Sequence, residues 1–205
     1  MILDELEDLR RTAYVRAVMS ESVVGWIGSR VPVEVFDAME LTAFPVYGID
    51  REILKYSSRK NMCPVVDATI TYAETDKCPL IHSSKLIVLD DTCRAMIAGL
   101  SGLQGKRIYV YDGSSRQELI AILGEVYGTS DPAHEKLTAV LAERERIRTK
   151  ILALTDGDVQ VFILEYYMNF LGLYERMSFL DDLQDKDICV SHEFMETIYR
   201  CPECT

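Results

Sequence analysis

The chain has 205 residues, above the common single-domain size of roughly 100–150 but compatible with one α/β domain carrying a helical extension. A hydrophobic share of 48%, a charged share of 27% and a mean hydropathy of +0.03 supply a core and argue against disorder. With 22 Lys and Arg against 33 Asp and Glu, the net charge of −11 argues against binding nucleic-acid phosphates or anionic lipid, and no apolar run reaches the roughly 18–20 residues of a bilayer span.

Residues 3 to 20 read as an amphipathic helix with Leu6, Leu9, Ala13, Val15 and Val18 among acidic and arginine positions. The start Met-Ile-Leu-Asp-Glu-Leu-Glu-Asp is acidic where a signal peptide is basic, so a cytoplasmic protein is expected. Val23 to Ile27, Ala43 to Tyr47, Leu86 to Leu89 and Ile108 to Tyr111 are short apolar runs of the kind buried on both faces of a parallel sheet. Helical stretches separate them: Val33 to Leu41 after Pro32, Arg51 to Tyr56, Val65 to Glu74 after Pro64, and Arg94 to Leu100. The alternation predicts a small doubly wound, flavodoxin-like parallel sheet within an α/β lobe of residues 1–128.

Ser114 with Gln117, or Ser115 with Glu118, has capping-box spacing and starts a helix that Gly128 closes. The remainder, residues 129–205, is expected to be a helical extension with a cysteine-containing tail; no Pro/Gly/Ser linker precedes it, so it is read as part of one unit with the sheet. Asp131 and Pro132 offer an N-cap and first turn for a long helix buried through Leu137, Val140, Leu141, Ile147, Ile151 and Leu154. Its Glu143, Arg144, Glu145, Arg146 and Arg148 read as a solvated face. Val159 to Tyr174 predicts a more apolar helix, and Met177 to Thr205 an irregular acidic tail.

In a reducing compartment the six cysteines are read as metal ligands before disulfides. Cys63, Cys78 and Cys93 each lie at a loop-to-helix junction, where free backbone N–H groups and the helix dipole favour an anionic sulfur. Thr92 is placed to cap a helix starting at Cys93. Loops at the carboxyl ends of parallel strands converge on one crevice, so such residues can meet there. The 15-residue spacing matches neither zinc-finger nor ferredoxin runs and names no metal, and a lone buried cysteine is commonly structural. Cys201-Pro202-Glu203-Cys204 has half-site spacing near the C-terminus, and Cys189 stands beside His192. His82, an acid/base or hydrogen-bond donor candidate, and Ser83 follow Cys78 closely. Gly99 to Gly105 follows a helix instead of opening one and reads as a turn, not a dinucleotide fingerprint.

The ordered combination of Gly25-Trp26-Ile27-Gly28, Pro32-Val33-Glu34, Asn61-Met62-Cys63-Pro64, Thr75-Asp76-Lys77-Cys78-Pro79 and Asp91-Thr92-Cys93 resembles the N-terminal lobe of the 2-hydroxyacyl-CoA dehydratase D-component family, which includes benzoyl-CoA reductase subunits and double-cubane cluster proteins. The likeness covers roughly residues 20 to 180, about half the family's length. It implies a flavodoxin-like lobe and an iron–sulfur cluster, [4Fe-4S] or double-cubane, with Cys63 and Cys93 at the commonest ligand positions and Cys78 matching the double-cubane branch. The third ligand is then Cys78, Cys189, Cys201 or Cys204, or comes from a second lobe on a partner chain in a homo- or hetero-oligomer. The resemblance further implies an ATP-dependent iron–sulfur activator as electron donor and an acyl-CoA or small-molecule substrate for a lyase or reductase. From other classes come a non-catalytic electron-transfer or cluster-completing half-subunit for a partner chain and a zinc-stabilised interaction module.

Overall fold

A computed structural model describes residues 2–49 and 51–183. Strands β1 (Val23–Ile27), β2 (Thr42–Pro45), β3 (Leu86–Asp90) and β4 (Arg107–Tyr111) form one all-parallel sheet in the order β2-β1-β3-β4. Val24 lies beside Ala43 on one side and Leu86 on the other, and Leu86 beside Arg107. All five residues of β1 and of β3 are buried, as expected for central strands covered on both faces, whereas edge strand β4 begins with an exposed arginine. Burial of each of Leu86, Ile87 and Leu89 contributes about 1.5–3 kcal/mol. The protein is thus an α/β fold with flavodoxin-like strand order and additional C-terminal helices.

Around the sheet lie α1 (Ile2–Met19), α2 (Val33–Ala38), α3 (Pro64–Glu74), α4 (Pro79–Ser83), α5 (Arg94–Leu100) and α6 (Arg116–Tyr127). Right-handed crossovers place α2, which leads from β1 out to β2, on one face, and α3 and α5, which lead the other way, on the opposite face. Packing of α3 against α5 agrees. Of the two capping boxes offered by the sequence, Ser115 is the one used: its hydroxyl accepts from the Glu118 N–H. Gly128 closes α6 in a left-handed conformation. Tyr127, one residue earlier, ties the sheet together: its hydroxyl donates to the Val23 carbonyl at 2.6 Å and accepts from the Leu86 N–H at 3.2 Å.

The extension consists of α7 (His134–Leu154), α8 (Asp158–Met168) and α9 (Leu173–Leu183). Here the sequence expectations need correction. α7 starts two residues beyond Pro132 with Ala133 at its N-cap, because the Asp131 carboxylate is taken by the Gln117 side chain at 2.7 Å. The helix expected through Tyr174 stops at Met168, and the stretch Leu173–Leu183, expected to be largely irregular, is helical. Gly172 precedes this new start, and its N–H donates to the Glu175 carboxylate, half of a capping box without a hydroxyl to advertise it. The predicted helix over 33–41 ends at Ala38, and the one over 51–56 is a 3-10 turn over Glu52–Tyr56. α7 packs on α2 and α9, and α8 on α1. Phe44, Tyr47, Tyr166, Tyr167 and Phe170 form the aromatic seal between extension and sheet, with ring centroids 5.0–6.3 Å apart. Among the described residues no helix is long and apolar enough to cross a membrane.

Candidate functional site

β1 sends the chain one way, through α2 to β2, and β3 sends it the other way, through α5 to β4. The carboxyl ends of β1 and β3 therefore form a topological switch point, the usual place for a ligand crevice in an open parallel sheet. Asp90, the last residue of β3, is buried there and organises both departing loops. One carboxylate oxygen accepts the Arg30 N–H of the β1–α2 loop at 3.0 Å, and the other accepts the Thr92 N–H and hydroxyl. Gly28 has φ of +110°, and a side-chain carbon added to it would overlap the Asp90 carboxylate, so only glycine lets the loop cross so closely. The Arg30 guanidinium in turn pairs with Asp91 at 2.6 Å. Thr92 is therefore committed to Asp90, and the N-cap position that the sequence suggested for it belongs to Cys93.

Cys63, Cys78 and Cys93 occupy the N-cap positions of α3, α4 and α5 respectively, and none uses its sulfur to cap its helix. No disulfide joins any of the three to another described cysteine. α3 and α5 both return from the carboxyl edge and so run parallel. They touch where Gly99 leaves room for the end of the Ile70 side chain. Gly99 is six residues after Cys93 and Ile70 is seven after Cys63, so the two cysteines start their helices at nearly the same level, one residue or about 1.5 Å apart along the axes. Neighbouring axes lie about 8–10 Å apart. Cys63, which is exposed, and Cys93, which is half-buried, thus open on one patch of the carboxyl edge.

Cys78 is brought elsewhere. It follows the far end of α3, is 8% exposed, and is walled in by Arg10, Tyr14, Tyr72 and Leu80 around a void of about 20 Å³. His82 pairs with Asp76 at 2.9 Å and, with Lys106 and Gly102, borders a cavity of about 420 Å³ at the amino end of β4, opposite the Cys63–Cys93 patch. Ser83, the last residue of α4, is on that side too, and neighbouring Ser84 donates internally to the Leu80 carbonyl. Asp67 is held by Ser57 at 2.6 Å and by Arg59 at 3.3 Å, and Glu34 by Arg116 at 2.8 Å. Cys189, Cys201 and Cys204 lie outside the described residues. Among the described residues no three His, Cys, Asp or Glu side chains gather tightly enough to hold one metal ion. The described residues thus bring two cysteines, Cys63 and Cys93, to the carboxyl edge of the sheet.

Beside this edge, between the β1–α2 loop and the extension, two adjoining cavities of about 400 and 360 Å³ share Ser29, Val33, Arg148, Glu165 and Asn169. Arg144, expected to be solvated, instead turns inward and pairs with Asp37 at 2.6 Å, and Glu143 is also largely covered. Arg176 is only 5% exposed; its Nε and Nη2 both donate to the Leu171 carbonyl at 3.2 Å. Burial first, and then the neighbouring Arg144 charge, push its guanidinium down to about 10. Sequence reasoning missed Arg176. The available signal was its spacing with Leu173, Leu180 and Leu183, all buried, which puts a cation on the apolar stripe of a helix. A scan against protein-family models finds no match to this chain, and no curated protein matches it.

Proposed function

We propose that the protein is an iron–sulfur protein of the dehydratase and double-cubane type, with Cys63 and Cys93 as cluster ligands, acting in ATP-coupled low-potential reduction or dehydration of an acyl-CoA or other small substrate. The observation that supports this reading is the near-level start of the neighbouring helices α3 and α5 at the carboxyl edge, with Cys63 and Cys93 at their N-cap positions. When bound, such a cluster supplies single-electron chemistry and an iron that polarises a carbonyl oxygen.

The surrounding residues have definable work in this reading. Cys63 and Cys93 provide sulfur at two helix starts, where backbone N–H groups favour negative charge. Asp90 holds the Thr92–Cys93 turn against the β1–α2 loop, which keeps one ligand in place through two backbone hydrogen bonds. The cleft under the extension, bordered by Trp26 and Tyr47, gives a small substrate an apolar wall close to the edge. An ATP-hydrolysing iron–sulfur activator is the electron source in this proposal.

Exposure of Cys63 favours a second form of the reading, in which a partner chain contributes the further ligand and this chain is a cluster-completing half-subunit. Anaerobic reconstitution with iron and sulfide tests both forms. Cys63→Ser and Cys93→Ser should each remove most bound iron while leaving the circular dichroism of the α/β fold intact, and Cys201→Ser should matter less. Full iron in the double Cys63/Cys93 variant, or zinc without iron or sulfide in protein purified anaerobically, overturns the proposal.

A further inference from the structure

Arg176 is energetically out of place. At this position on the buried stripe of α9 an apolar side chain of similar volume would avoid the cost of desolvating a cation. A guanidinium has five N–H donors, and the described residues engage two of its three nitrogens through one carbonyl oxygen. Its Nη1 makes no hydrogen bond to the described residues, and the side chain lines the free space beside it. No carboxylate of the described residues is within ion-pairing distance. Asp37, the closest acid in electrostatic effect, is occupied by Arg144, whose own charge repels Arg176.

Arg176 borders two cavities. The smaller, of about 220 Å³, also has Asp37 and Glu40 in its wall, which disfavours an anion there. In the larger, of about 400 Å³, Val33, Ile147, Ile151 and Met168 form an apolar part of the wall, and Arg148 adds a second cation that makes no ion pair among the described residues. Two of the three acids of that wall are less of an obstacle: Glu34 is neutralised by Arg116 and Glu145 is exposed, while Glu165, half-buried, is shared with the adjoining cavity. A cavity of this size with an apolar stretch of wall beside a buried guanidinium has the chemistry of a site for an organic acid: the planar fork of arginine matches a carboxylate, and the apolar stretch suits a short hydrocarbon body.

We propose that the 400 Å³ cavity between α2, α7, α8 and α9 binds a small organic carboxylate, its acid group paired with Arg176 and assisted by Arg148, its apolar body against Ile147, Ile151 and Met168. The site is separate from the cysteine patch, so its occupancy does not depend on iron.

Isothermal titration calorimetry on the full chain without added metal tests this with sodium hexanoate, hexanamide and inorganic phosphate. Hexanoate should bind saturably, and hexanamide, the same body without the charge, at least about tenfold more weakly. Arg176→Met should weaken hexanoate by at least about tenfold, Arg148→Ala by about two- to fivefold, and Arg107→Ala, on the far edge of the sheet, not at all. Equal binding of hexanoate and hexanamide overturns the assignment, as does undiminished binding to Arg176→Met. Saturation by phosphate with hexanoate silent refutes the carboxylate class, and absence of saturable heat from hexanoate up to about 10 mM refutes the site. The hexanoate and hexanamide comparison uses only the wild-type chain and decides the matter even if Arg176→Met does not fold.

Discussion

The juxtaposition of Cys63 and Cys93 rests on the meeting of α3 and α5 at Ile70 and Gly99, and a double-mutant cycle tests that meeting directly. A Cβ at Gly99 would overlap the Ile70 Cδ1 and come within 2.8 Å of its Cγ1. Overpacking of this kind costs about 1–3 kcal/mol, offset by the gain of about 0.8–1.0 kcal/mol for replacing glycine by alanine inside a helix, so Gly99→Ala should destabilise by about 0–2 kcal/mol. Ile70→Val deletes the overlapping methyl and on its own should cost about 0.5–1.5 kcal/mol. In the double variant the new Cβ occupies the space left by Cδ1, so the combined loss should fall short of the sum by about 1 kcal/mol or more. Urea unfolding followed by far-ultraviolet circular dichroism measures all three. A second readout is cross-linking of Cys63 to Cys93 by a bis-maleimide of about 10 Å span, with the other cysteines replaced by serine. Its yield should be high in the parent and lower in Gly99→Leu. Strict additivity together with failure to cross-link would refute the register from which the shared patch was inferred.

Other perturbations have defined outcomes. Tyr127→Phe removes the hydroxyl that joins the Val23 carbonyl to the Leu86 N–H and should cost about 1–3 kcal/mol, seen as a lower urea midpoint; an unchanged midpoint contradicts the bridging role. Gly28→Ala introduces a side chain at positive φ against the Asp90 carboxylate and should cost more than about 1 kcal/mol, whereas Gly102→Ala, in open space, should be close to neutral. The Asp112 carboxyl is held below its usual range by the Ser114 side chain and then by the Ser114 N–H, and Glu125 is likewise lowered by Arg107. Groups depressed in the folded state stabilise it above their unfolded values, about 3.9 for Asp and 4.3 for Glu, and that stabilisation is lost as pH falls through the folded values. The thermal midpoint of the wild type should therefore drop more steeply between about pH 4.5 and pH 2.5 than that of Asp112→Asn; parallel curves would oppose this.

Much of the fold was legible because its signals are local. The uninterrupted apolar runs Val23 to Ile27 and Leu86 to Leu89 mark strands buried on both faces, Ser115 with Glu118 marks a helix start, and Gly128 a stop. Pro64 and Pro79 point to helix starts just after Cys63 and Cys78. The errors came where a distant partner decided the outcome: Asp131 was diverted from its capping role by Gln117, and Thr92 by Asp90. At α9 the local cue was a glycine followed three residues later by a glutamate, too weak to announce a helix, and the helix is held by the burial of Leu173, Leu180 and Leu183.

The sequence by itself determined the alternation of strand and helix and the placing of three cysteines at helix starts, since periodicity, prolines and caps act within a few residues. Tertiary structure decided which of those cysteines share a patch, because that depends on the handedness of crossovers and on the level at which α3 and α5 touch, neither of which is encoded near the cysteines. It also decided that Arg144 and Arg176 point inward rather than to water. A charge reveals its burial only when the elements on every side of it have been assembled.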